Sequence, residues 1–358
     1  MYSFFLKSNQ INKLMHSPLR YTYLLISIVL ISLGCGSQNK KDASDFFLKG
    51  NYALTQKNYT EAMRLYDEAI SKNPEFADAY LNKSICLTKL NRIDEAYEVL
   101  TEAIDADPTL IQAFLLRSEA GVSLGRLNDA QADLKQIEKE YKDSSQFYLT
   151  RGNLMEAKSE TSAAISDYDK AIALNAANVE AYVNRGAVFY KSGSLKPAED
   201  DFLAALKLKP SQTEALNNLG LICIKKSDYE EAILFFDKIL KSNPADPLAL
   251  NNKGYALLLN GETAEAGKLI DRSLDYLPDN GYALRNMGLY YQLTGKLDMA
   301  LTTYNKAIDL AQPVEELYGL TGRAYFLKND KASACRIWKQ GILLKDSVSV
   351  SEYKKHCN

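Results

Sequence analysis

The sequence predicts an all-α fold, a solenoid of nine helical hairpins, and three observations carry that prediction. A pattern of 34 residues runs from Ala43 to Val348 with no insertion or deletion. Within each unit, apolar residues recur at helical spacing in two runs of about 12–14 residues. A short polar turn joins the runs, as in Gln56-Lys57-Asn58 or Thr294-Gly295-Lys296. The twentieth position is Ala in all nine units, from Ala62 and Ala96 to Ala300 and Ala334. Two antiparallel helices approach closely only where side chains are that small.

The units start at residues 43, 77, 111, 145, 179, 213, 247, 281 and 315. Their eighth position is Gly or Ser throughout, from Gly50, Ser84 and Ser118 to Gly288 and Gly322. Gly in a helix costs about 1 kcal/mol relative to Ala, so its recurrence implies a packing role. The twenty-fourth position is large, as in Tyr66, Tyr168, Phe202, Phe236, Tyr304 and Trp338, and is expected to fill the space between one hairpin and the next. Pro74, Pro108, Pro210, Pro244 and Pro278 end the second helix, because Pro lacks the N–H and restricts the residue before it. This order of small, Ala, aromatic and Pro residues resembles the tetratricopeptide repeat. The resemblance implies a right-handed superhelix over 43–348, whose first helices line a concave groove that binds proteins or peptides.

Residues 1–42 read differently. Lys7, Lys13 and Arg20 are the only charges before Lys40, and the apolar run Tyr21–Leu33 has 13 residues. A spanning helix needs about 20, whereas a basic start and a short apolar core make a secretory signal. Its end, Ser32-Leu33-Gly34-Cys35, resembles a bacterial lipoprotein signal, with Ser32 where Leu is usual. The resemblance implies a signal peptide over 1–34, lipid (palmitate among its acyl chains) on Cys35, and a tether over 35–42. It further implies a place in the bacterial cell envelope, on an outer membrane and facing the periplasm, with Gly36 in place of a sorting Asp. Met15 opens a more compact signal than Met1 does.

Charge excludes one class of partner. Lys and Arg number 43 against 45 Asp and Glu. Loss of residues 1–34 removes three bases and no acids, so the balance moves from −2 to −5. Nucleic acid needs a basic stripe, and none is present. Of the five Cys, Cys86, Cys223 and Cys335 fall in units two, six and nine and read as buried free thiols. Cys357 pairs with Cys335 only if their Cα atoms come within about 7 Å. No spacing suggests a zinc site or a cofactor.

Along the units, the second run of unit two is acidic (Asp94, Glu95, Glu98, Glu102, Asp105), which reads as a solvated face. The polar stretch 138–145 is expected to be a bend or flexible joint. The tail 349–358 is expected to add a short helix carrying Tyr353, too small to hide a hairpin face, which leaves that end open to a partner or to self-association.

No catalytic constellation is present. The two His, His16 and His356, lie outside the repeats, which rules out a His triad or His metal site in the folded body. Carboxylate pairs such as Asp200-Asp201 read as solvated surface. The chain is therefore expected not to be an enzyme, and binding is the chemistry a solenoid supports. Family members that grip acidic chaperone C-termini carry bases at set groove positions. Here Phe47, Gln112 and Leu116 stand at those positions, so that function is rejected. The fifth groove position is apolar in units one to five (Phe47 to Val183) and polar after it (Asn217, Asn251, Arg285). The sixth is Asn184, Asn218, Asn252 and Asn286 in units five to eight. Asn is a poor helix former. Either these amides, with Asn217 and Asn251, hold an extended peptide, or each ties its helix to the next unit. The reading is a lipid-anchored scaffold that binds other proteins; a regulatory subunit of a cell-wall enzyme and a self-assembling envelope protein are the alternatives.

Overall fold

The computed structural model describes residues 38–357. Cys35, the apolar run and Met15 lie outside the described residues. Among these residues there are 19 helices and no strand. Helix α1 covers 38–55 and pairs with α2 (Tyr59–Lys72). The hairpins α3 (Ala77–Lys89) with α4 (Ile93–Ala106), α5 (Ile111–Ser123) with α6 (Leu127–Ile137), and α7 (Ser145–Ala157) with α8 (Thr161–Leu174) follow. Then come α9 (Val179–Lys191) with α10 (Leu195–Leu208), α11 (Thr213–Lys225) with α12 (Tyr229–Ser242), and α13 (Pro247–Leu259) with α14 (Thr263–Tyr276). The last are α15 (Gly281–Leu293) with α16 (Leu297–Asp309), α17 (Leu317–Leu327) with α18 (Lys331–Leu343), and a nineteenth helix, α19 (Ser347–His356). The described residues divide into two compact units, 38–174 and 175–357.

Each hairpin turns at the same place. The fifteenth residue of every unit has positive φ: Lys57, Asn91, Gly125, Ser159, Gly193, Ser227, Gly261, Gly295 and Asn329. This left-handed residue ends the first helix and reverses the chain. The second helix then lays its twentieth-position Ala, fully buried in every unit, against the first. A Cβ added at Gly50 would lie 2.6 Å from the Tyr66 ring, and one at Gly186 would lie 2.9 Å from Phe202. The large twenty-fourth residue thus packs first on its own hairpin, closer to home than expected. It also reaches onward: Tyr66 shares a cluster with Cys86 of the next unit.

Two other expectations need correction. The stretch 138–145 forms a turn with a bend between α6 and α7. The amides of Glu140 and Tyr141 return to the Ile137 carbonyl, and Arg151 reaches Glu138 at 2.9 Å, so α6 and α7 pack directly across it. Asp201 is not solvated surface. It is buried and bidentate with Arg185 at 2.6 and 2.9 Å. The same pair recurs as Arg117–Asp133 and Arg151–Asp167, always 16 residues apart, bolting first helix to second. Nor is Cys335 a free thiol: it forms a disulfide with Cys357, with Cα atoms 5.7 Å apart. Cys86 and Cys223 remain free and buried.

That disulfide closes the C-terminal end. Helix α19 lies on α17 and α18. A Cβ on Gly319 would strike Val348 and one on Gly341 would strike Ser349, so small residues let α19 settle. The Asp346 carboxylate accepts from the Gly319 amide at 3.0 Å, and Arg323 pairs with Glu352 at 2.7 Å. His356 stacks on Trp338 and meets the Phe326 ring at a tilt. The last hairpin thus carries a folded helix on one face, while Leu343 and Val350 near that end stay exposed.

Candidate peptide groove

In the second unit, the first helices follow one another side by side: α9 with α11, α11 with α13, α13 with α15 and α15 with α17. This wall curves. Lys225 at the end of α11 and Tyr282 at the start of α15 line one cavity of about 940 Å³, together with Glu315, Tyr318 and Leu344. The Tyr190 hydroxyl, on α9, is pushed up to about 12, by burial first and then by Glu315 and Tyr282 across the same space. Residues three and four units apart thus face one another.

The link from α16 to α17 shapes the cavity's far side. Ala311 and Glu316 both have positive φ, and Pro313 lies between them, so α17 starts at Leu317 instead of the register position 315. The two residues so released place Glu315 at the surface and bring Glu316 to Arg285, with Nη1 3.6 Å from Oε2. The same guanidinium lies 4.4 Å from the centre of the Tyr255 ring and 5.7 Å from Tyr282. Lys225 stands 5.4 Å over Tyr190. The cavity therefore offers aromatic faces with an exposed cation on one side and an exposed carboxylate on the other. No group of His, Cys, Asp and Glu able to hold a metal occurs among the described residues.

The asparagines lie on this wall but divide into two kinds. Asn252 donates to Asn217 Oδ1 at 2.8 Å, and Asn286 donates to Asn251 Oδ1 at 2.8 Å, each bond stepping one unit back. Asn251 joins the two steps by donating to Asn252 at 2.9 Å. Asn251 is 2% exposed and Asn286 1%. The amides of these two residues are bonded inside the wall and tie neighbouring units together. The pattern needs Asn at position six facing Asn at position five of the preceding unit. Val183 occupies that fifth position in unit five, so the ladder stops at Asn217. Asn184, Asn217, Asn218 and Asn252 are half-buried. Sequence reasoning missed Lys225, Tyr282, Glu315 and Glu316. The late Pro313 was the available signal, because it lengthens one link and changes what that link carries.

Comparison with known proteins fits this geometry. Tetratricopeptide repeat profiles match residues 53–120, 152–193, 186–247, 235–268 and 283–313, together more than half of the chain. The Hsp70-Hsp90 organizing protein 1 of Glycine max is 47% identical over 47 residues, which are 13% of this chain and 8% of that protein. The corresponding wheat (Triticum aestivum) protein is 45% identical over 47 residues. The chain thus spans under a tenth of the length of these relatives. The solved APC/C hetero-tetramer Cut9-Hcn1 is similar in fold at 14% identity, with a TM-score of 0.62 over 88% of this chain and 76% of that one. A tetratricopeptide repeat protein from Parabacteroides merdae gives 0.53 at 19% identity, over 79% of this chain and 99% of its own. The chain is a tetratricopeptide repeat protein.

Proposed function

We propose that this chain is a non-catalytic scaffold, held by a lipid on Cys35 in a bacterial envelope, that binds extended segments of other proteins along the first helices of its second unit. The observation that carries the reading is the curved wall. It places Lys225, Tyr282 and Glu315 around one open cavity of about 940 Å³. A segment of mixed charge with an aromatic or proline side chain suits such a site, since rings and cations stack there. Asn184, Asn217, Asn218 and Asn252 lie farther along the wall and are the proposed contacts for a peptide backbone.

Localisation rests on the lipoprotein-like end at Cys35 and on the Cys335–Cys357 disulfide. Disulfides persist in oxidising compartments and are rare where thiol reductants dominate, which supports an outer-membrane protein facing the periplasm. No helix among the described residues is long and apolar enough to cross a membrane.

The test is site-specific photo-crosslinking in intact envelopes, with benzoylphenylalanine at Tyr282 or at Lys225 and, as a control, at exposed Leu234 on α12. Adducts are expected at the two groove positions. Adducts at 234 alone would move the binding surface to the second helices and sink the groove. Fatty-acid labelling of wild type against Cys35→Ser tests the anchor separately.

A further inference from the structure

Helix α1 carries a packing face on which none of the described residues packs. The tenth position of the later units is buried in Cys86, Ala120, Leu154, Val188, Ile222, Ala256 and Ala324, and half-buried in Tyr290, whose ring sits against Gly267 of the preceding hairpin. In the first unit that position is Tyr52, which is 70% exposed. Leu48, one turn earlier on the same stripe, is 63% exposed, where its later counterparts are half-buried or buried. Phe46, Leu48, Lys49 and Tyr52 border a shallow depression of about 670 Å³ against α2. Tyr290 shows that a Tyr at this position can pack on a preceding hairpin, whereas Tyr52, apolar in body and polar at its tip, stands open.

Two further facts choose the occupant. Exposed Lys40 and Lys49 flank the stripe on either side and Lys41 extends it, with Asp45 the one carboxylate inside it. Asp42 is engaged by Gln38 at 2.7 Å. The described part of α1 also starts only three residues after Cys35. Three residues of extended chain reach about 10 Å at most, so a lipid on Cys35 would hold this helix at the bilayer surface. Apolar and tyrosyl side chains flanked by lysines are the composition that settles at an anionic lipid interface.

We propose that the Leu48–Tyr52 face of α1 lies on the lipid surface itself, as a second attachment beside the acyl chains and a fixed orientation for the repeats that follow. This rests on the anchored reading given above.

The experiment uses the full chain, processed in its host and reconstituted into vesicles of phosphatidylethanolamine and phosphatidylglycerol. An environment-sensitive fluorophore is placed through Leu48→Cys or, as control, Leu234→Cys. Both sites are exposed, while Cys86 and Cys223 are buried and Cys335 and Cys357 are paired. The probe at 48 is expected to shift to the blue, to lose roughly half its emission to nitroxide-labelled lipid, and to resist aqueous iodide. The probe at 234 should do none of these. A fatty-acylated chain whose probe at 48 is as open to iodide as the probe at 234 overturns the proposal. So does a probe at 48 that ignores nitroxide lipid but self-quenches between molecules, since a second copy then covers the face. A chain that takes up no fatty-acid label removes the anchor and this proposal together, and the labelling reports that failure independently of the fluorescence.

Discussion

The two ends of the chain meet the same physical problem in opposite ways. Every hairpin is sticky on both sides, so the first and last units must each do something with a face that has no neighbour. At the C-terminal end α19 covers the face, through a disulfide, an Arg323–Glu352 pair and the Trp338–His356 stack. At the N-terminal end Leu48 and Tyr52 stay in the open. The difference teaches that capping is not automatic in a repeat protein. An end left apolar beside the proposed anchor at Cys35 reads as a surface kept for use, whereas the other end carries its own helix.

The comparison breaks most sharply at Trp338. It is fully buried between Gly322 and the cap. Trp338→Ala should cost the C-terminal unit roughly 3–5 kcal/mol, read as early loss of hydrogen-exchange protection over 317–356. Tyr52→Ala at the other end should move stability by no more than about 0.5 kcal/mol. Equal losses would mean that the N-terminal face is covered in the free protein.

Reducing the disulfide sharpens the contrast next. Its partners are 22 residues apart, and closing a loop of that size is worth about 3 kcal/mol through the unfolded chain. Cys35 apart, mild reduction followed by alkylation at neutral pH should modify Cys335 and Cys357 alone. Burial pushes the Cys86 and Cys223 thiols up to about 11, from an ordinary value of 9.0. Both groups are raised, so the stability they contribute is full below pH 9.0 and is lost as pH climbs towards 11. A denaturation series across that range should show the fall. A rise there would contradict the burial of these thiols.

A smaller effect is expected in the interior, where neither end matters. Asn286→Ala leaves the buried Asn251 carbonyl without its donor and should cost about 1–3 kcal/mol. Asn218→Ala removes a half-buried amide and should cost less, with any loss of partner binding seen at an unchanged melting temperature. The smallest change is a gain. Lys57 holds a left-handed φ of 59° at the first hairpin turn. Lys57→Gly should relieve that strain and add up to about 1 kcal/mol.

The fold was legible because it is written nine times. Ala at position twenty and Gly or Ser at position eight place the two helices of a hairpin by sterics alone, and no long-range information is needed. What could not be read depends on departures from the repeat. The Arg151–Asp167 clamp looks like two unrelated surface charges until the hairpin brings them together. Cys357 lies beyond the last unit, and its reach to Cys335 depends on α19 folding back. At the groove, the Asn pattern was visible but its direction was not. An amide at position six can face outward or back to the preceding unit, and what it meets there decides: Asn217 or Asn251 at the fifth position for Asn252 and Asn286, Asn51 at the ninth for Asn82.

The ladder also has a polarity. Arg285 donates to Asn286, Asn286 to Asn251, Asn251 to Asn252, and Asn252 to Asn217, every bond pointing the same way. A guanidinium, which can only donate, stands at its head and fixes the sense of all four amides. Reversing any one would set donor against donor on one side and acceptor against acceptor on the other, so the row turns as a whole or not at all. Such chains strengthen by mutual polarisation, which makes the Asn217 amide a better donor than a lone asparagine. A ligand that accepts a hydrogen bond from that amide on α11 pulls on a relay that ends two units away, beneath Glu316 at the cavity rim.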